Sequence, residues 1–278
     1  MAAPVITSLA NPEVKRIRSL RSRKVRDQSG LCLAEGIRAV GEAGHMAGGI
    51  ETLVIAPELL RSDFAWELIA RVEAAGARRL DVSPAVFGSI ARKEGPQGLA
   101  AVVRQRWEAL ADITMQPRDV WIGLEAIQDP GNLGTIQRTA GAVGAAGVIL
   151  IGNTTDPYDA TAIRASMGAV FGQRLARTGP EELKNWLHEH RCFTVGTSGD
   201  AALDYRTAGY RLPLVLLMGS EREGLPDELQ SLCDAMVRIP MVGRVVDSLN
   251  LSVATGVMLY EVFSQVISPG TWDEEPFD

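Results

Sequence analysis

Three segments of this chain gather residue types that can do chemistry. The first is Asp129-Pro130-Gly131-Asn132-Leu133-Gly134-Thr135-Ile136-Gln137-Arg138-Thr139, which sets an asparagine and an arginine six residues apart. Asn132 falls at a predicted helix start, where backbone N–H groups favour anions. Arg138 follows one to two turns later and can fork onto a phosphate. A helix cap plus a surface arginine accounts for the same residues. The second segment runs Leu217-Met218-Gly219-Ser220-Glu221-Arg222-Glu223-Gly224-Leu225-Pro226. Its glycines let backbone approach a ligand closely. Glu221 is a carboxylate just beyond a buried strand, where functional groups concentrate, although a polar turn explains it too. The third runs from Ile239 to Ala254. Pro240 and Gly243 force a turn there, and Ser248 or Asn250 can cap the helix that follows.

Several other chemistries are absent. The glycines of GAVGAAG (141–147) lie at a helix end before a strand, the reverse of a dinucleotide fingerprint. There is no Walker A lysine loop and no GxSxG nucleophile elbow. Cys32, Cys192 and Cys233 are far apart, without CxxC spacing, so neither a disulfide scaffold nor a zinc site is expected. His45, His188 and His190 add no ligand cluster, and no metal is expected.

The elements that must position these segments alternate between strand and helix. Residues 13–27 predict one helix with Val14, Ile17, Leu20 and Val25 inward. LCLAEG, ETLVIAP, RRLDVS and GLAAVVRQ predict strands, interleaved with helices at IRAVGEAGHMAG, about 62–75 and PAVFGSIA. That describes a small α/β domain over 1–105. Residues 106–118 read as a linker. VWIGLEAI, GVILIG, CFTVGTS, LPLVLLMG and AMVRIP then predict continuous apolar strands, with helices over NLGTIQRTAGAVGA and DATAIRASMGAVFG, and Asn132 capping the former. Such strands imply a mostly parallel sheet with helices on both faces, over 119–268. Each of the three segments lies at the carboxyl end of a strand, where such sheets bind ligands. The closing helix, LSVATGVMLYEVFSQVI, is apolar on more than one side and suits a partner chain.

The charge distribution matters more than its sum. The 278 residues carry a formal net charge of −6, which taken whole disfavours nucleic acid. Residues 1–30, however, hold seven basic side chains (Lys15, Arg16, Arg18, Arg21, Arg23, Lys24, Arg26) against two acidic ones. The tail, 269–278, is acidic. A basic face can steer a polyanion whatever the average, although a solvated helix face explains the run equally well. No apolar run approaches the roughly 20 residues of a bilayer span. The first residues lack a secretory signal, so a cytoplasmic protein is expected.

In this order and spacing, NLGTIQRTA, GSEREGLP and IPMVGRVVDSLNLSVATG resemble the three motifs of the TrmH/SpoU family of RNA 2′-O-methyltransferases, within the SPOUT superfamily. The resemblance covers about 120–268, and a weaker one over 5–105 points to that family's RNA-binding N-terminal domain. TDPYDATAIRASMGAVF (155–171) is similar to members acting on ribosomal RNA. Two departures stand out. Arg222 replaces the usual glycine of the second motif, and the third is one residue longer between Gly243 and Ser248. The resemblance implies a C-terminal trefoil knot and a homodimer built on the last helix. It implies S-adenosylmethionine as cofactor, held by Thr197, Leu217, Gly219, Ser220, Ile239, Met241, Ser248 and Leu249. It gives catalysis to Arg138, with Asn132, Glu221, Ser248 and Asn250 assisting. It makes the basic residues of the first helix a phosphate grip, with ribosomal RNA favoured over transfer RNA. A transfer-RNA methyltransferase, or a non-catalytic RNA-binding assembly factor on the same fold, is the alternative.

Overall fold

The structure, a computed structural model, describes residues 4–92, 95–243 and 248–266. The acidic tail, Ile267 at the end of the expected last helix, and positions 244–247 of the third motif lie outside the described residues. The chain divides into two compact units, the first comprising 1–106, 130–138 and 156–173, the second the remainder.

In the first unit, α1 (Pro12–Ser19) and α2 (Arg23–Ser29) precede β1 (Leu31–Glu35), α3 (Ile37–Gly44), β2 (Ile50–Ile55), α4 (Asp63–Ala74), β3 (Arg78–Asp81), α5 (Pro84–Ile90) and β4 (Leu99–Arg104). The sheet order is β1-β4-β2-β3, with only β2 and β3 parallel. Val14, Ile17, Leu20, Val86, Phe87 and Ile90 pack on one side of it. The single helix expected over 13–27 is instead two helices, broken at Leu20–Ser22. Arg26 explains the break. Its Nη1 donates to the Leu20 carbonyl at 2.9 Å and the Arg21 carbonyl at 3.0 Å, satisfying acceptors that a continuous helix would have used.

Two later stretches complete this unit: the first part of α6 (Pro130–Ala142), and α7 (Ala160–Ala165) with a 3-10 turn at Ala169–Phe171. The helix expected to run through DATAIRASMGAVFG stops at Ala165, and the chain turns with Met167 at φ 54° and Gly168 at φ 93°. Asn132 does not cap α6. Pro130, whose missing N–H costs nothing at a first helical position, starts the helix two residues earlier. Gly134 lets α6 approach α7 closely, since a Cβ there would stand 2.7 Å from Ala165 Cβ and 2.9 Å from the Ser166 nitrogen.

The second unit is built on β5 (Val120–Glu125), β6 (Gly147–Ile151), β7 (Arg174–Thr178), β8 (Phe193–Thr197), β9 (Leu203–Asp204), β10 (Leu214–Met218) and β11 (Ala235–Arg238), with α8 (Pro180–His190), α9 (Asp227–Gln230) and α10 (Leu251–Val266). All seven strands are parallel, in the order β7-β6-β5-β10-β8-β11-β9. Strands β5, β6 and β10 are the expected apolar runs, with interiors buried on both faces. The insertion of β10 between β5 and β8 is consistent with the expected knotted crossing. Strands β7 and β9 and helix α8 add to the expected elements. The stretch 106–118 is no free linker. Leu110 and Ile113 are buried with Trp121 and Trp186, Trp186 Nε1 donates to the Ile113 carbonyl at 3.0 Å, and Arg174 grips Glu108 through two nitrogens. No helix among the described residues is long and apolar enough to cross a membrane.

Candidate functional site

A cavity of about 450 Å³ opens at the carboxyl ends of β8, β10 and β11, within the size range of small-molecule sites. Each strand delivers one wall. Strand β8 ends in Thr197, followed by Ser198 and Gly199. Strand β10 ends in Met218, followed by Gly219, Ser220 and Glu221. Strand β11 leads from Val237 to Ile239 and Met241. The fourth wall is the start of α10, with Ser248, Leu249, Asn250, Leu251 and Ala254. The second and third sequence segments thus converge on one cavity.

Local chemistry shapes these walls. The Ser220 and Gly224 backbones exchange two hydrogen bonds of 3.1 Å, closing a tight turn. Gly224 supplies the positive φ of 69°. Arg222 therefore sits exposed at the tip of the turn, where a side chain is tolerated. Leu225 then drops into the core and anchors the loop. Asn250 caps α10. Its Oδ1 accepts from the Ser252 N–H at 2.9 Å and from Ser252 Oγ at 2.6 Å. Thr197 Oγ1 lies 3.5 Å from Met218 Sδ.

Most of the expected cofactor residues line this cavity: Thr197, Gly219, Ser220, Ile239, Met241, Ser248 and Leu249. Leu217 does not. It is fully buried and packs in the core with Trp121, Val215 and Ile151, because strand side chains alternate and Met218 takes the cavity side. Ser198, Gly199, Met218 and Val237 also line the cavity without having been expected there; their places at the ends of β8, β10 and β11 are the signal that points to them. Glu125, a carboxylate at the end of β5, lies outside the cavity lining and meets the Ser220 backbone. Burial pushes that carboxyl above its ordinary value, against the opposing pull of the Ser220 backbone.

Asn132 and Arg138 belong to the first unit and the cavity to the second. Leu133, Ile136 and Ala140 bury one face of α6, which leaves Arg138 exposed on the other. Arg138 makes no hydrogen bond or ion pair with a described residue, so the structure does not tie it to Asn132.

The basic run divides by partner. Lys15, Arg23 and Lys24 are exposed, Arg23 beside Asp27 at 3.6 Å. Arg16 is held by Glu13 and Glu51, Arg18 donates to the Leu9 carbonyl, and Arg21 donates to the Ser89 carbonyl at 2.7 Å. Arg26 corrects the expectation of a phosphate contact. It is 3% exposed and its guanidinium is spent on Asp156 and on the helix break. Among the described residues no three His, Cys, Asp or Glu side chains gather as a metal site.

Comparison with known proteins identifies the family. Residues 119–260 match the model of the SpoU rRNA Methylase family, and residues 11–101 match an MRM3-like substrate binding domain. The chain is 30% identical to a 23S rRNA (uridine(2479)-2′-O)-methyltransferase of Streptomyces viridochromogenes, over 91% of this chain and 89% of that protein. It is 28% identical to the 23S rRNA (guanosine(2553)-2′-O)-methyltransferase RlmP of Bacillus subtilis, over 92% and 98%. The structure resembles an AdoMet-bound rRNA methyltransferase from Sinorhizobium meliloti, with a TM-score of 0.86 and 40% identity over 95% of this chain and 99% of that one. A family match over more than half of the chain, with a relative aligned nearly end to end, makes this chain a member of the SpoU rRNA methylase family.

Proposed function

We propose that this protein transfers a methyl group from S-adenosylmethionine to a ribose 2′-hydroxyl of RNA, and that ribosomal RNA is the substrate. The observation that carries the reading is the cavity at the ends of β8, β10 and β11, built from the family's second and third motif segments. Its lining suits the cofactor. Met218, Val237, Ile239 and Leu249 offer apolar faces to a flat base. Thr197, Ser198 and Ser220 offer hydroxyls. The Gly219 turn offers backbone, and Glu221 is the one acidic side chain among the described lining residues. The bound cofactor supplies a methyl already activated by its sulfonium charge.

The chain's own residues must then hold the ribose oxygen in line with that methyl and help its proton leave. A 2′-hydroxyl stays protonated at neutral pH and is a poor nucleophile. A guanidinium is in general a poor base, which suits Arg138 to stabilise a developing alkoxide instead. Asn132 holds Arg138 or the neighbouring backbone in place. Glu221, Ser248 and Asn250 orient the ribose and the amino-acid end of the cofactor. Lys15, Arg23 and Lys24 add grip on phosphates that does not depend on sequence. A homodimer through α10 completes the reading, supported by Val253 at 51% and Tyr260 at 55% exposure on one side of that helix. The cytoplasm, where ribosomal RNA is processed, is the expected compartment.

The test uses methyl-labelled S-adenosylmethionine with unmodified 23S ribosomal RNA and, separately, transfer RNA. Label is expected in a 2′-O-methyl nucleoside from the ribosomal pool. Arg138→Ala should abolish that label and leave cofactor binding by calorimetry nearly unchanged. Label only in transfer RNA, or wild-type turnover by the variant, would overturn the substrate or the arginine assignment respectively.

A further inference from the structure

A second cavity, of about 210 Å³, lies wholly within the first unit and is more enclosed than the first. Its floor is apolar, formed by Leu20, Ile90, Ile163 and Met167 together with Leu33 and Ala39. Its polar lining is dominated by one residue type: Arg21, Arg26, Arg38, Arg92 and Arg164, with Glu35 the one carboxylate among the described lining residues. These arginines come from α1–α2, α3, the end of α5 and α7, so the fold, and no local run of sequence, collects them.

The arginines are not equivalent. Arg26 is neutralised by Asp156 at 2.7 Å. Arg21 is spent on carbonyls at the end of α5, and Arg92 lies 3.9 Å from Asp159 and donates to the Arg21 carbonyl at 3.3 Å. Arg38 and Arg164 are exposed at the cavity and form no hydrogen bond or ion pair with a described residue. A guanidinium with no carboxylate partner among the described residues, beside an apolar floor, is built for a ligand that is anionic at one end and flat at the other. Gln97 adds an amide to the lining. The volume admits one planar ring and excludes a helical stem.

The geometry points to a nucleotide subsite: one unpaired residue of the RNA seats its base on the Leu20–Ile90–Ile163 floor, and Arg38 and Arg164 grip its phosphates. This inference rests on the reading of RNA as substrate and gives that substrate a second, specific point of attachment. Unpaired RNA is the form whose bases are free to enter such a cavity.

The test compares three full-length proteins: wild type, R38Q/R164Q, and R61Q/R71Q, a control that removes the same charge from exposed positions on and beside α4. Each is titrated with a short single-stranded RNA oligonucleotide of mixed sequence and with a duplex of the same sequence, across a range of salt. The cavity variant is expected to bind the single strand at least roughly tenfold more weakly than wild type. Its slope of log affinity on log salt should fall by about 1.4, for two lost phosphate contacts at about 0.7 each. The control should stay within about twofold, because its arginines lie outside the cavity. With ribosomal RNA, KM should rise and kcat hold, and cofactor binding should be unchanged. Equal weakening by the two variants, or equal losses on single strand and duplex, overturns the subsite. If the wild type transfers no methyl while the binding difference stands, the enzymatic reading fails and the subsite is upheld.

Discussion

Arg26 Nε and Nη2 each lie 2.7 Å from Asp156 Oδ2, although 130 residues separate the two in sequence. Both side chains are almost fully buried. Breaking such a pair strands one charge in the interior and costs about 3–5 kcal/mol. Arg26→Met should therefore lower stability by about that amount in urea unfolding, with further loss from the two carbonyls it caps. R26M/D156N should recover part of the loss, since no charge is then stranded. A single variant within about 1 kcal/mol of wild type would show the pair to be incidental.

Gly134 sets two effects against each other. Glycine to alanine inside a helix ordinarily gains about 0.5–1 kcal/mol. Here the new Cβ meets Ala165 Cβ, the Ser166 nitrogen and the Ala162 carbonyl, all closer than van der Waals contact allows. Overpacking of that kind costs about 1–3 kcal/mol, so Gly134→Ala should lower the melting temperature rather than raise it. A raised melting temperature would mean that α6 is free to move away from α7.

Asn250 separates capping from ligand recognition. Asn250→Ala removes the acceptor for Ser252 and should cost about 1 kcal/mol together with activity. Asn250→Asp keeps a capping oxygen at a helix N-terminus, so stability should hold while methyl transfer falls. If transfer by the aspartate variant equals wild type, Asn250 is a cap alone.

Glu125 makes stability depend on pH. Burial raises its folded value above the ordinary 4.5, so the folded state holds this proton more tightly than the unfolded chain. The contribution is favourable below that ordinary value and is lost as pH rises through the folded one. Glu125→Gln mimics the protonated carboxyl. It should be more stable than wild type at pH 7 by no more than a few degrees, with the difference vanishing below about pH 4.5. A difference that grows on acidification would reverse the sign and refute the burial argument.

The three cysteines should be inert in the native protein. Burial raises each thiol, that of Cys233 to about 12. Ellman's reagent at pH 8 should label none rapidly and all three after unfolding. Rapid labelling of Cys32 would contradict its complete burial.

Much of this molecule can be read from its sequence, and several of the failures share one cause. Strands such as LVLLM and helix-start signals such as Asn250 are local, and periodicity or capping chemistry finds them. The second and third segments carry their own glycines and turns, so local sequence alone places them at strand ends. Asn132 failed as a cap for a local reason, Pro130, but three other failures depended on distant partners. Arg26 looks like one more member of a basic helix until Asp156 is seen beside it. Leu217 faces away from the cavity because of the strand's register, which its own neighbours do not fix. Residues 106–118 look like a linker, yet Leu110 and Ile113 complete a core whose other half, Trp186, comes more than 70 residues later.

The composition of the first unit bears on how this protein can be dissected. A fragment cut at residue 106 leaves out 130–138 and 156–173. It would carry a buried guanidinium without its counter-charge and a bared surface where Glu42 and Ala39 meet Gly168. Such a fragment is a truncated fold rather than a portable RNA-binding module, and weak RNA binding by it would say little about the intact protein.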